Sequence, residues 1–108
     1  MKVKVMVKHD GYGQFPTFKK GTAVTIKEED AHFLNWYACE IEGRQTWVPK
    51  TFFLGGALTR NYNPTELIQQ EGDILEVKEI VYAWLIAADS EGITGWIPAE
   101  AVISLMPL

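Results

Sequence analysis

The side chains that most often carry out chemistry are few in this sequence and are scattered along it. The chain has two histidines, His9 and His32, and a single cysteine, Cys39. A metal site or an activated nucleophile needs such groups at a defined spacing, and this set does not supply one. The stretch 11–13, Gly-Tyr-Gly, lacks the remaining glycines of a phosphate-binding loop. We therefore expect a protein that is not an enzyme and that uses no metal and no other cofactor.

The aromatic side chains are more informative, because two of the four tryptophans share a local pattern. Trp47-Val48-Pro49 and Trp96-Ile97-Pro98 lie 49 positions apart in a chain of 108 residues. A spacing close to half the length indicates an internal duplication.

The remainder of the two halves aligns in the same order with small offsets. The matching positions are turn glycines, strand-opening tryptophans and apolar final segments: Gly21 with Gly72, Trp36 with Trp84, Glu42-Gly43 with Glu91-Gly92, and Phe52-Phe53-Leu54 with Ala101-Val102-Ile103. We therefore predict two modules, residues 1–54 and 57–108, joined by Gly55-Gly56. So short a joint is expected to hold the modules close together.

Each segment has the pattern of a β-strand. Val3, Val5 and Val7 alternate with other side chains, which is the period of a half-buried strand. Short strands separated by frequent turns are typical of a small barrel or sandwich. Pro49 and Pro98 have no N–H to donate to a ladder, so each is predicted to end its strand. A single 3₁₀ turn fits the three residues that follow each proline.

The ordered set of motifs resembles a Src-homology-3 (SH3) domain. The matches are to the opening Ala-Leu-Tyr-Asp-Tyr, to Glu-Leu-Ser-Phe-Lys-Lys-Gly-Asp and to Gly-aromatic-Ile-Pro: Ala57-Leu58-Thr59-Arg60-Asn61-Tyr62, then Phe18-Lys19-Lys20-Gly21 and Glu66-Leu67 with Glu71-Gly72-Asp73, then Gly95-Trp96-Ile97-Pro98. The resemblance covers nearly the whole chain and is closest to short prokaryotic proteins made of tandem SH3-like modules. It implies an all-β fold of two tandem SH3-like five-stranded small barrels, packed closely through the two-glycine linker.

The resemblance also implies a groove on each module that holds a proline-rich peptide between aromatic rings. The positions that match the family groove are Tyr12, Trp36, Trp47, Pro49 and Phe52 in the first copy, and Tyr62, Trp84, Trp96 and Pro98 in the second. Where the family has a later tyrosine, the second copy has Ala101, so its groove lacks one wall.

The alternation of side chains along a strand predicts which way these tryptophans face. If Cys39 and Ile41 face the core, Trp36 faces outward, and the same alternation applies to Trp47 and Trp96. Outward aromatic side chains on a small module are typical of a binding surface. The alternative is that the indoles only cover small cores.

Charge is spread unevenly along the chain, whose net charge is −4. Residues 1–54 carry eight Lys and Arg against six Asp and Glu, and residues 55–108 carry two against eight, so the halves have net charges of +2 and −6. This makes nucleic acid an unlikely partner. A basic face on the first half stays open as an alternative, and its residues are Lys2, Lys4, Lys8, Lys19 and Lys20.

Acidic residues in the loops have two interpretations. Asp10, Glu66 and the run Glu28-Glu29-Asp30 stand where the SH3 family holds a basic ligand residue. They are either ligand contacts or solvated loop tips.

The longest apolar run, residues 80–88, is shorter than the roughly 20 residues that a membrane helix needs. The first residues have no long apolar segment typical of a signal peptide, and the lone cysteine agrees with a reducing compartment. We therefore expect a cytoplasmic protein without a membrane partner.

The sequence favours a non-catalytic interaction module that binds an extended peptide or protein segment, either proline-rich or of other composition. Alternatives are a bacterial cell-wall or glycan-binding SH3 module, a nucleic-acid-binding barrel, and a dimerisation unit in which the basic half of one chain docks on the acidic half of another. The sequence leaves the oligomeric state and the identity of the ligand open.

Overall fold

The computed structural model describes residues 1–11 and 13–105. These residues form β-sheets and two short 3₁₀ turns, so the all-β class expected from the sequence is confirmed. The predicted groove residue Tyr12 lies outside the described residues. Within residues 1–11 and 13–105, no helix has the length and apolarity that crossing a membrane requires.

The strands follow one another with short connections. In chain order they are β1 Lys2–Val5, β2 Thr25–Glu29, β3 Trp36–Ile41, β4 Arg44–Pro49, β5 Phe53–Leu54, β6 Ala57–Leu58, β7 Ile74–Val81, β8 Trp84–Ala88, β9 Thr94–Pro98 and β10 Val102–Ser104. The 3₁₀ turns are Lys50–Phe52 and Ala99–Ala101. Pro49 and Pro98 therefore end β4 and β9, and a 3₁₀ turn follows each, as predicted.

The chain divides into two compact units that differ from the two halves of the sequence. The central unit is Phe15–Pro64, and the terminal unit consists of Met1–Gln14 with Thr65–Leu108. These bounds are not those of the predicted modules, 1–54 and 57–108.

The terminal unit is a five-stranded antiparallel sheet in the order β10-β1-β7-β8-β9. β1 lies between β10 and β7, and its side chains alternate, because Val3 and Val5 are buried while Lys2 and Lys4 are exposed. The two valines pack in a core whose other buried members are Leu67, Leu75, Leu85, Ala87, Ile97 and Ala101. Burial of each valine stabilises the unit by about 1.5–3 kcal/mol.

The strands of the central unit have a similar spatial arrangement, in which β6 lies between β5 and the segment that leads to β2. The antiparallel meander β2-β3-β4 and the hairpin β5-β6 are connected by an isolated bridge between Ala23 and Ala57. A second bridge, between Phe18 and Tyr62, extends this pairing. In the meander Trp36 lies opposite Pro49 in the register of β3 and β4.

Gly55 and Gly56 form the turn of the β5-β6 hairpin. Their φ angles are 59° and 78°, and a two-residue hairpin of type I′ requires positive φ at both positions. A Cβ at either residue would meet no atom within 4 Å, so backbone conformation and not space accounts for the two glycines. The pair therefore lies inside the central unit, whereas the sequence analysis treats it as a linker between modules.

This turn explains why the units and the halves have different bounds. A two-residue turn has no length to carry the chain away from β5, so β6 pairs with β5. The opening strand of the second half thus completes the central unit. Correspondingly, β1 pairs with β7 and β10 in the terminal unit. Each unit takes its opening strand from the other half of the sequence.

Candidate functional site

The central unit contains most of the residues that the resemblance assigned to a groove. Trp36, Trp47, Pro49 and Phe52 lie there together with Tyr62, which the sequence analysis assigned to the second copy. The terminal unit contains the remaining three described residues of the set, which are Trp84, Trp96 and Pro98.

Phe52 and Tyr62 form an aromatic contact in the central unit. Their ring centroids are 5.4 Å apart at an interplanar angle of 78°, an edge-to-face arrangement. The Tyr62 hydroxyl donates a hydrogen bond of 2.5 Å to the Trp47 carbonyl oxygen, and the Arg60 guanidinium lies 4.2 Å from the centre of the Phe52 ring. Because Phe52 and Tyr62 are each only 3% exposed, this cluster is part of the packed interior and not the wall of an open groove.

The four tryptophans differ in their exposure. Trp36 and Trp96 are 6% and 4% exposed, in contrast to the outward, accessible positions expected from strand alternation. Alternation does place Trp36 on the face opposite Cys39. However, both sheet faces are covered at these positions, so facing away from one core does not imply contact with solvent. Trp84 is half-buried, and Trp47 is exposed.

Pro49 and Pro98 are both buried, so neither offers an accessible ring to a ligand. Each is the cross-strand partner of a tryptophan, Trp36 and Trp84 respectively. The proline of the repeated motif therefore has a packing role at the end of a strand in both units.

Trp47 lies on an accessible face of the meander. Its side chain is 37% exposed, and Ala38 is its direct partner across the sheet. Two residues along β4, Gln45 lies on the same face and donates to Glu40 at 2.6 Å. The Lys27 ammonium group donates to the Gln45 side-chain oxygen. An indole beside an ordered polar row combines a stacking surface with hydrogen-bonding groups, and we name residues Lys27, Ala38, Glu40, Gln45 and Trp47 the Trp47 face.

The terminal unit has a polar cluster at the position where the central unit has Tyr62. His9 forms an isolated backbone β-bridge with Gln69, as Tyr62 does with Phe18. The His9 ring nitrogen Nε2 lies 2.9 Å from Glu66 Oε1, and its ring lies 6.0 Å from that of Trp84 in an edge-to-face contact.

This polar pair is largely enclosed, since the His9 and Glu66 side chains are 18% and 16% exposed. The sequence analysis named Glu66 as a candidate ligand contact and did not pair it with His9. The signal that it missed is the position of His9 at the end of the β1 alternation, where the matching segment ends in Tyr62.

Of the acidic residues that the sequence analysis placed in loops, Glu29 and Asp30 bond to their own loop, whereas Glu66 bonds to His9. Asp30 Oδ2 accepts hydrogen bonds from the backbone N–H groups of His32 and Phe33, at 3.0 and 2.8 Å. Glu29 Oε2 accepts from the backbone N–H of Asn35 at 2.8 Å. Within the described ranges, no group of three or more His, Cys, Asp or Glu stands where it could hold a metal ion.

Cys39 is a buried thiol, as its place in the alternation predicted, and is 1% exposed. Burial raises the pKa of the Cys39 thiol to about 12, and the positive charge of Lys27 only partly opposes this effect. The thiolate is the nucleophilic form, so this side chain is poorly reactive near neutral pH.

The basic residues of the first half are divided between the units. Lys2, Lys4 and Lys8 belong to the terminal unit, whose four lysines stand against nine Asp and Glu, a net charge of −5. Lys19 and Lys20 belong to the central unit, which has six Lys and Arg against five Asp and Glu, a net charge of +1.

The chain matches no model of a known protein family, no curated protein and no solved structure. Its function is therefore inferred from its own residues.

Proposed function

We propose that this chain is a non-catalytic, cytoplasmic interaction protein built of two SH3-like units, and that the central unit binds an extended peptide segment of another protein on the Trp47 face. The single observation that carries the proposal is the accessible indole of Trp47 beside an ordered row of polar side chains.

The arrangement of strands supports the SH3-like part of the proposal. In both units an opening strand lies between a final strand and the first strand of a three-stranded meander: β1 beside β10 and β7, and β6 beside β5 and the segment that leads to β2. A 3₁₀ turn precedes the final strand in each unit. The resemblance implies these same parts, although in the central unit the opening strand β6 follows the final strand β5 along the chain.

Physical chemistry favours the Trp47 face as the place of contact. Tryptophan is enriched among the residues that dominate binding energy, because it removes a large apolar area from water. Ala38, opposite Trp47, is too small to cover the indole. Proline rings of an extended ligand stack on such a surface, and such a ligand loses little conformational entropy on binding.

The polar row supplies the second requirement of peptide recognition. Gln45 and Glu40 are already fixed by their mutual hydrogen bond, so their orientation costs little further entropy when a ligand binds. Their remaining donor and acceptor capacity suits the N–H and C=O groups of an extended backbone. Nucleic-acid binding is disfavoured by charge, because the unit that carries Lys2, Lys4 and Lys8 has a net charge of −5 and the central unit has only +1.

The test is a titration of the ¹⁵N-labelled protein with a synthetic peptide of consecutive prolines flanked by arginine, followed by NMR. Four tryptophans give four indole N–H signals, which report separately on each ring. We expect the Trp47 signal to move most and the binding to weaken at least tenfold in Trp47→Ala. Tyr82→Ala is the matched control, because Tyr82 is also 37% exposed but belongs to the terminal unit.

Equal binding by wild type and Trp47→Ala, or a shift confined to Trp84, would contradict the Trp47 face. Absence of any shift with the proline peptide, together with shifts on a parallel titration with chitin oligosaccharide, would replace peptide recognition by sugar recognition at the same indole.

A further inference from the structure

We propose that this chain forms a dimer with a second copy of itself by exchanging halves when the Gly55-Gly56 turn opens, and that the two glycines favour the closed chain. The partner that the fold fits is the same chain, and the segments that it exchanges are residues 1–54 and 57–108. The proposal is independent of the peptide-binding function.

The first step of the argument is that the two halves are held together by strand pairing. In the terminal unit β1, from the first half, pairs with β7 and β10 from the second. In the central unit β6, from the second half, pairs with β5 from the first and is extended by the bridge between Phe18 and Tyr62. Neither half contains all the strands of a unit.

The second step is that one short turn makes these pairings intramolecular. The halves are connected only through Gly55 and Gly56, since residues 14–15 and 64–65 each lie within a half. If this turn extends, β6 leaves its own β5 and can occupy the same place on a second chain. The strand pairs that join the two halves then re-form between the first half of one chain and the second half of the other.

The third step is that the turn itself controls the equilibrium between the closed monomer and the exchanged dimer. In the closed chain both glycines have positive φ, which residues with a Cβ disfavour. No atom lies within 4 Å of an added Cβ at either position, so a substitution there acts only on the backbone conformation. A residue with a Cβ at either position would strain the turn, and short hinge turns under strain favour exchange between chains.

The experiment compares Gly55→Val/Gly56→Val with Gly55→Asn by light scattering after size exclusion at several concentrations. Valine favours extended backbone at the hinge, whereas Asn-Gly preserves the type I′ turn. We expect the asparagine variant to stay monomeric and the valine variant to form dimers with unchanged circular dichroism. The association constant should rise about tenfold or more with each valine.

Cross-linking identifies which segments are exchanged. Lys4 and Ile103 are direct partners across β1 and β10, and both are exposed. In a Cys39→Ala background we would mix one valine-variant chain carrying Lys4→Cys with another carrying Ile103→Cys. Exchange of halves places the two thiols within disulfide distance in the dimer. Lys4→Cys mixed with Leu54→Cys is the control for random collision, because Leu54 is 78% exposed and pairs with Ala57 instead.

A folded valine variant that stays monomeric, or a dimer whose Lys4→Cys/Ile103→Cys cross-link does not exceed the control, overturns the proposal. If the double variant aggregates, Gly55→Ala and Gly56→Ala decide the matter in the same assay. A dimer fraction above that of Gly55→Asn in either supports the exchange, and its absence in both overturns it.

Discussion

The two units have different side chains at the matching position just beyond the opening strand. At the bridge beyond the opening strand, the central unit has Tyr62, which contacts Phe52 and bonds to a backbone carbonyl. At the matching bridge the terminal unit has His9, which pairs with Glu66. The position that matches Phe52 is Ala101. The central unit thus has an aromatic pair between the bridge position and its 3₁₀ turn, whereas the terminal unit, whose turn has only a methyl group there, has a polar pair at the matching position.

A second difference concerns the edge strands β4 and β9. Thr65 O lies 3.0 Å from the position that a Cβ of Gly95 would occupy, so only glycine allows this approach. The backbone of Trp96 then donates to Thr65 and accepts from Leu67, at 3.1 and 2.8 Å. The matching residue in the central unit is Thr46, which carries a side chain. One absent methyl group thus lets a further segment pair beside β9, whereas the carbonyl of Trp47 on β4 is satisfied by a tyrosine hydroxyl.

The largest effect should follow from removing the aromatic contact of the central unit. Tyr62→Ala deletes a ring that is 97% buried and leaves a cavity, so we expect a loss of about 3–5 kcal/mol in the free energy of unfolding by urea. Tyr62→Phe keeps the ring and should lose only about 1 kcal/mol with the hydrogen bond. Similar losses in both variants would mean that the hydroxyl, and not the ring contact, stabilises this position.

A smaller effect should follow from breaking the polar pair of the terminal unit. Glu66→Ala leaves the largely enclosed His9 ring without its carboxylate partner, which should destabilise the protein by about 1–3 kcal/mol. Glu66→Gln keeps an acceptor and should recover at least half of this loss. The comparison is made by urea denaturation at neutral pH, and an equal loss in the two variants would show that a neutral acceptor does not replace the carboxylate in this pair.

The smallest effect concerns the hairpin between β7 and β8. Tyr82 and Ala83 have φ angles of 42° and 68°, in the left-handed region that favours glycine. Ala83→Gly should therefore stabilise the protein by about 1 kcal/mol, measured as a rise in the thermal midpoint. Gly43→Ala is the reverse control, since Gly43 has a φ of 78° with no atom within 4 Å of an added Cβ. This variant should lose a similar amount of stability. A fall in the midpoint on Ala83→Gly would refute this account.

Local features of the fold could be predicted from the sequence. The segments that open with Trp36 and Trp84 are strands over residues 36–41 and 84–88, as the alternation and turn signals indicated. The ends at Pro49 and Pro98 follow from a missing N–H group, which is a property of one residue. The exposure of the tryptophan side chains could not be predicted in this way. Alternation assigns a side chain to a sheet face, but whether that face meets solvent depends on segments distant in sequence.

The sequence by itself determined that this chain is all-β, where most of its strands and turns fall, and that Gly55 and Gly56 can adopt positive φ. Only the tertiary structure decided which strands pair. The opening strands β1 and β6 lead similar alternating segments, so nothing local distinguishes the meander that each will join. The choice depends on the reach of the chain: a two-residue turn keeps β6 beside β5, and β1 then occupies the place left beside β7 and β10.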